Sequence, residues 1–286
     1  MKILVTGSNG QLGKELSLQL KEKNIDFVAY DVPELDITNK EKTEAIIQKE
    51  NPTIILNCGA MTNVDGCETN RELAMAVNAQ GPKNIAEIAR DMDITLVQVS
   101  TDYVFDGDGI VEKGGKRPYI ESDPVDPKTV YGESKSAGEK AVAEIAPKYF
   151  IIRTAWLYGD GNNFVKTMLD LAIKNPKITV VNDQIGSPTS TVDLAKAIIN
   201  LMQTENYGIY HGTCQGQCSW YDFACEIFAR SGINIPVEPV TSEQFVRPAP
   251  RPKFSVLENK GLADLGLDTF RDWQDALDEY LKKLNS

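Results

Sequence analysis

The chain has 286 residues, 42% hydrophobic and 25% charged, which is ordinary for a soluble globular protein with room for a sizeable core. A net charge of −11 argues against nucleic acid or an anionic membrane as the main partner. No apolar run approaches the ~20 residues that span a bilayer. Lys2 precedes only a short apolar strand and no leader layout follows, so a cytoplasmic location is expected.

Residues 2–6 read as a short buried strand. The turn Gly7-Ser8-Asn9-Gly10-Gln11-Leu12-Gly13 follows, and a helix then runs to about Lys23, with Leu12, Leu16 and Leu20 on one apolar face. A strand, a glycine turn and a helix N-terminus let backbone N–H groups approach a pyrophosphate. The second strand, 25–30, ends at Asp31. A carboxylate there can accept from adenosine ribose hydroxyls and would repel a 2′-phosphate, which leans towards NADH over NADPH. Asp36 either caps the next helix, near 39–50, or reaches the adenine edge. A third strand ends near Asn57, and Cys58-Gly59-Ala60-Met61-Thr62 is small and flexible, as expected where backbone passes under a dinucleotide.

A helix near 79–91 and a fourth strand, 94–100, continue the alternation, which predicts a Rossmann-like, doubly wound parallel sheet of the α/β class. Ligands in such sheets bind at the carboxyl ends of the strands. The fourth strand leads into Ser100-Thr101-Asp102-Tyr103. Residues 108–127 are rich in glycine, proline and charge and read as a loop over the site. On a helix over 128–145, Tyr131 and Lys135 project from one face about a turn apart. A phenol near an ammonium is a proton donor whose pKa can be tuned, which suits general acid chemistry on a carbonyl oxygen.

A fifth strand, 149–153, leads into Thr154-Ala155-Trp156-Leu157. Beyond 160 the pattern changes to helices near 162–174, 191–203 and 219–231, separated by short strands near 178–181, 207–211 and 236–240. The proline-rich segment from Arg247 to Pro252 and a last helix near 271–284 follow. This predicts a dinucleotide-binding domain over 1–160 and a smaller α/β substrate-binding lobe over 161–286, with some crossing of the chain between them. The five cysteines form no Cys-x-x-Cys pair. Cys214 and Cys218 lie four apart with His211 the only histidine in the chain, so no metal site is expected and reduced thiols are.

Gly7-x-x-Gly10-x-x-Gly13, Thr101 and Tyr131-x-x-x-Lys135, in that order, resemble the extended short-chain dehydrogenase/reductase superfamily over the whole chain. Finer motifs are Ser100–Phe105, Arg153–Gly159, Gly161–Phe164, Asp183–Thr189 and Arg251-Pro252. They are similar to the dTDP-4-dehydrorhamnose reductases within it. The resemblance implies NAD(P)H-dependent reduction of the C4 ketone of a nucleotide sugar, dTDP-4-dehydro-L-rhamnose. It implies that Tyr131 protonates the C4 oxygen and Thr101 hydrogen-bonds it. Lys135 would lower the Tyr131 pKa and hold the nicotinamide ribose. Gly10, Gln11 and Leu12 would sit on the pyrophosphate, Asp36 and Ile37 by the adenine, and Ala60, Met61 and Thr62 along the cofactor. Val64, Asp102, Tyr103 and Trp156 would meet the deoxysugar, and Arg251 the diphosphate. Some members form magnesium-linked dimers, and Glu15 matches one of their positions. A monomer or homodimer is expected here, without a predicted metal. Two other readings are a sugar-nucleotide epimerase or dehydratase of the same superfamily, and a dinucleotide-binding regulatory subunit similar to the beta subunit of methionine adenosyltransferase. Thr101 is followed by Asp102-Tyr103 and not by an Asp-Glu pair, which counts against dehydration. The intact Thr101, Tyr131 and Lys135 count against the subunit.

Overall fold

The computed structural model describes residues 1–284. Six parallel strands form the central sheet: β1 (Lys2–Thr6), β2 (Asp26–Tyr30), β3 (Ile54–Asn57), β4 (Thr95–Thr101), β5 (Tyr149–Thr154) and β6 (Gly208–His211). Their spatial order is 2-1-3-4-5-6. The order reverses between β1 and β3, and the crevice at that switch point is where such sheets take a ligand.

Period-two alternation sorts the strands' apolar side chains onto two faces. Ile3, Val5, Leu56, Val97, Phe150 and Ile152 enter one core, and Leu4, Ile55, Leu96 and Ile151 the other. The first core is closed by α1 (Gln11–Glu22) and by α6 (Thr191–Leu201), α7 (Trp220–Arg230) and α8 (Trp273–Leu284) from the C-terminal half. The second is closed by α2 (Lys40–Glu50), α3 (Gly81–Asp91) and α4 (Val130–Ile145). The remaining long helix, α5 (Phe164–Lys174), contributes Val165 and Met168 to the first core.

Two expectations need correction. The strand near 207–211 was assigned to the smaller lobe. It is β6, paired in parallel with β5 from Gly208↔Phe150 to His211↔Arg153, because Tyr210 and the half-buried Ile209 complete the two cores at the sheet edge. The stretch 108–127 is not all loop, since Ile110–Glu112 and Gly115–Arg117 form an antiparallel hairpin. Two short helices, Val64–Thr69 and Arg71–Met75, and a π-helical turn, Ala76–Gln80, lie between β3 and α3. Outside the central sheet, Ile178–Val181 pairs in parallel with Val237–Val240 beside the carboxyl edge.

Candidate active site

The glycine turn is built by what glycine lacks. Gly7 has φ +61°, and a Cβ there would lie 2.7 Å from the Cys58 carbonyl carbon. A Cβ on Gly13 would lie 2.3 Å from the Gly7 oxygen. Only the bare backbone lets β1, α1 and the end of β3 meet this closely. Gly10 precedes α1 without a side-chain cap, and the first turn carries no acidic residue. The N–H groups of Gln11, Leu12 and Gly13 therefore have no partner within the helix and face an electropositive helix end, which suits an anionic pyrophosphate.

A cleft of about 990 Å³ runs from this turn along the carboxyl edge of the sheet. It brings together Gly7, Gly10, Gln11, Leu12, Gly13, Ala60 and Thr62 with Thr101, Tyr131 and Lys135. Val64, Asp102, Tyr103, Trp156 and Arg251 line the same cleft. Three buried side-chain atoms on its wall, Gln11 Oε1, Ser100 Oγ and Thr154 Oγ1, have no hydrogen-bond partner among the described residues. Buried polar atoms are rarely left so. Together with the free helix N-terminus they fit a polar, phosphate-bearing ligand such as a nicotinamide dinucleotide.

Four expected cofactor residues lie off the enclosed cleft. The Asp31 carboxylate accepts from the N–H groups of Asn9, at 2.7 Å, and Val32, at 2.8 Å, so it is tied to the glycine turn. Asp36 accepts from Thr38 N–H and Oγ1, and the cap of α2 is Asn39. Ile37 is buried, with its Cδ1 against Gly59 and Gly81. Asn78 holds Met61 by its N–H, at 2.8 Å, and its carbonyl, at 3.0 Å, and the Met61 side chain packs with Cys67 and Val130.

Helix α4 carries the central pair. Thr129 caps it through Gly132 N–H, and Glu68 accepts from Val130 N–H. A Cβ at Gly132 would lie 2.1 Å from the Tyr103 oxygen, and one at Gly138 2.2 Å from the Asn78 oxygen, so the helix seats directly on neighbouring carbonyls. This holds the Tyr131 ring edge-on to Tyr103, with centroids 5.5 Å apart. Burial raises the Tyr131 phenol well above its usual range, partly opposed by a hydrogen bond with Thr101. The Lys135 Nζ donates to Val99 O at 2.6 Å. Burial lowers Lys135 itself to about 8. The same Val99 carbonyl accepts from Gln98 Nε2, which Asn57 steadies through Gln98 Oε1.

Asp102 is buried beside this group. Its Oδ1 accepts from Thr101 Oγ1 at 2.8 Å, and burial raises its carboxyl to about 6, against the Ser255 hydroxyl that favours the charged form. Trp156 sits in the left-handed region at φ +46°, an uncommon conformation for an aromatic residue. Its indole stacks on Trp220, 3.5 Å between centroids, and closes on Gly186, where a Cβ would meet the ring at 2.4 Å. Arg251 lines the cleft and pairs with Asp65 at 2.9 Å. Sequence reasoning missed Trp220, Ser255 and Asp65, which no local spacing links to the site. It also missed Arg247, which lines the cleft from the proline-rich segment it had marked.

The chain matches the RmlD substrate binding domain family model over residues 1–286. It is 42% identical to a dTDP-4-dehydrorhamnose reductase of Streptomyces griseus over 284 residues, covering 96% of this chain and 91% of that one. The crystal structure of a dTDP-4-dehydrorhamnose reductase of Clostridium acetobutylicum superposes with a TM-score of 0.96 at 49% identity, with 100% of both chains covered. A Bacillus anthracis dTDP-4-dehydrorhamnose reductase, solved in complex with NADP, gives 0.93 at 41% identity with 99% of each chain covered. With the glycine turn, the Tyr131/Lys135 helix and the Trp156 wall meeting in one cleft, this chain belongs to the RmlD substrate binding domain family, among the nucleotide-sugar reductases.

Proposed function

We propose that the protein reduces the C4 ketone of dTDP-4-dehydro-L-rhamnose to dTDP-L-rhamnose at the expense of NAD(P)H. The observation that carries this reading is the meeting of Tyr131, Thr101 and Lys135 on the wall of one cleft. The glycine turn and Arg251 line that same cleft. Bound NAD(P)H supplies hydride to the carbonyl carbon. Tyr131, kept protonated by burial, gives its proton to the C4 oxygen, and the Thr101 hydroxyl holds that oxygen. Lys135 holds the nicotinamide ribose, and its charge favours the phenolate left behind. Trp156 offers an apolar wall to the 6-deoxy sugar, with Val64, Asp102 and Tyr103 around it. We assign these roles, together with a substrate-facing lobe beyond residue 160, to the expected residues. The tie of Asp31 to the glycine turn supports NADH, and the NADP-bound relative supports acceptance of the phosphorylated form.

The test is nicotinamide oxidation with enzymatically generated dTDP-4-dehydro-L-rhamnose, run with each cofactor, with dTDP-L-rhamnose identified as product. Absence of turnover with both would overturn the reading.

Two expectations arise from the geometry. The ammonium of Lys135 is lost as pH rises through about 8, so kcat/KM should fall above that pH, and Lys135→Met should be slow and lack this limb. A profile flat to strongly alkaline pH would rule out the role. Gly186→Ala places a methyl group inside the Trp156 ring. It should raise KM for the nucleotide sugar about tenfold, ~1.4 kcal/mol, with the KM for cofactor unchanged in the same steady-state assay.

A further inference from the structure

The segment 245–252 runs along the cleft as a strap, with Phe245, Arg247, Arg251 and Pro252 on the cleft wall. Both ends are anchored in backbone. Ser242 N–H donates to Asp183 at one end, at 2.9 Å to Oδ2. At the other, Phe254 N–H donates to Gly107 O at 2.8 Å and Ser255 N–H to Ile185 O at 2.9 Å. Between residues 246 and 251, the hydrogen bonds and ion pairs to the rest of the chain, among the described residues, all end on one side chain, Asp65. Its Oδ1 accepts from Ala249 N–H at 3.1 Å. Its Oδ2 pairs with Arg251 at 2.9 Å and lies 3.9 Å from Arg247. Asp65 is in the first turn of the short helix Val64–Thr69, next to Val64 on the cleft wall and three residues after Thr62.

Building on the reductase reading, we propose that Asp65 is a positioning residue for the nucleotide diphosphate of the substrate. It clasps the strap to the cofactor-binding half and sets Arg251 and Arg247 facing the cleft. The chemistry allows the arginine to serve both partners. A guanidinium has five N–H donors. Arg251 gives one nitrogen to Asp65 and another to Ala249 O, which leaves donors for phosphate oxygens. One carboxylate against two guanidiniums keeps a net positive charge, as a dianionic diphosphate requires. Asp65 also holds the strap's backbone at Ala249, so it remains a fixed support when phosphate arrives. Arg247 is further steadied by its cation–π contact with Phe245, at 4.7 Å.

The test uses the full chain with Asp65→Asn and Asp65→Glu, and dTDP as the probe of the diphosphate site. Asp65→Asn should raise the Kd for dTDP and the KM for the nucleotide sugar about tenfold. Its kcat should stay within about twofold and its KM for cofactor should not change. Asp65→Glu, which keeps the charge, should recover much of the affinity. Phe245 and Val246 are exposed, so chymotrypsin should cut the strap faster in Asp65→Asn than in the wild type. Unchanged or tighter dTDP binding in Asp65→Asn would overturn the proposal, as would an equal fall in cofactor affinity. A wild type that binds no dTDP would count against the reductase reading. The cleavage rates would then decide the clasp alone, and equal rates would overturn it.

Discussion

Tyr131→Phe should cut turnover by ~10²–10⁴, the usual contribution of one positioned acid–base group, with the KM for cofactor little changed. The ring stays, so its packing against Tyr103 and Val130 is kept, and only the hydroxyl facing Thr101 is lost. The direction of the reaction matters. Reduction of a ketone requires a phenol that still carries its proton, and burial holds Tyr131 well above its usual range. The variant should bind the cofactor, as judged by fluorescence titration, and fail in single-turnover reduction. Turnover near that of the wild type would remove Tyr131 from the mechanism.

Arg153→Leu should destabilise the fold by about 3–5 kcal/mol, since removing one partner strands the other's charge in the interior. Arg153, at the carboxyl end of β5, bonds Glu139 on α4 through Nε at 3.0 Å and Nη2 at 2.7 Å, with both residues buried. Its guanidinium also lies 5.0 Å from the Phe105 ring. Glu139 in turn favours the charged form of Lys135, and its carboxylate is no longer offset by Arg153 in the variant, so the alkaline limb of the pH profile should shift upward as well. Replacing both partners by leucine should recover part of the lost stability, because no charge is then left unpaired. Urea unfolding midpoints of the single and double variants measure this. A single-variant loss under about 1 kcal/mol would show that the pair is not carrying the junction between α4 and β5.

Much of the architecture could be read from pattern alone. Strands with apolar residues at every position must be covered on both faces, and Leu12, Leu16 and Leu20 mark the face of α1 that covers one of them. The glycine turn and the Tyr131/Lys135 spacing were legible because their geometry is local, set within one turn and one helix. What escaped depends on pairings between distant parts of the chain. The expected second lobe returns a strand to the sheet as β6, since hydrophobic pattern says that a strand exists and not which edge it joins. The hold of Asn78 on the Met61 backbone joins residues 17 apart. The ammonium of Lys135 stood in the right place by spacing, yet the carbonyl of Val99, 36 residues earlier, engages it. The stacking of Trp156 on Trp220 and the pairing of Asp65 with Arg251 leave no trace in local spacing.

The seating of α4 on the Tyr103 and Asn78 carbonyls through Gly132 and Gly138 has a practical consequence for anyone reshaping this enzyme. Side chains at an interface can repack to absorb an altered neighbour, but two backbones in contact have no such slack. Tyr131, the proposed proton donor, is thereby referenced to the sheet as a machined part is to its bed. On the proposed roles, substrate preference should be open to re-cutting at Trp156, Gly186 and the strap without retuning the helix that carries Tyr131.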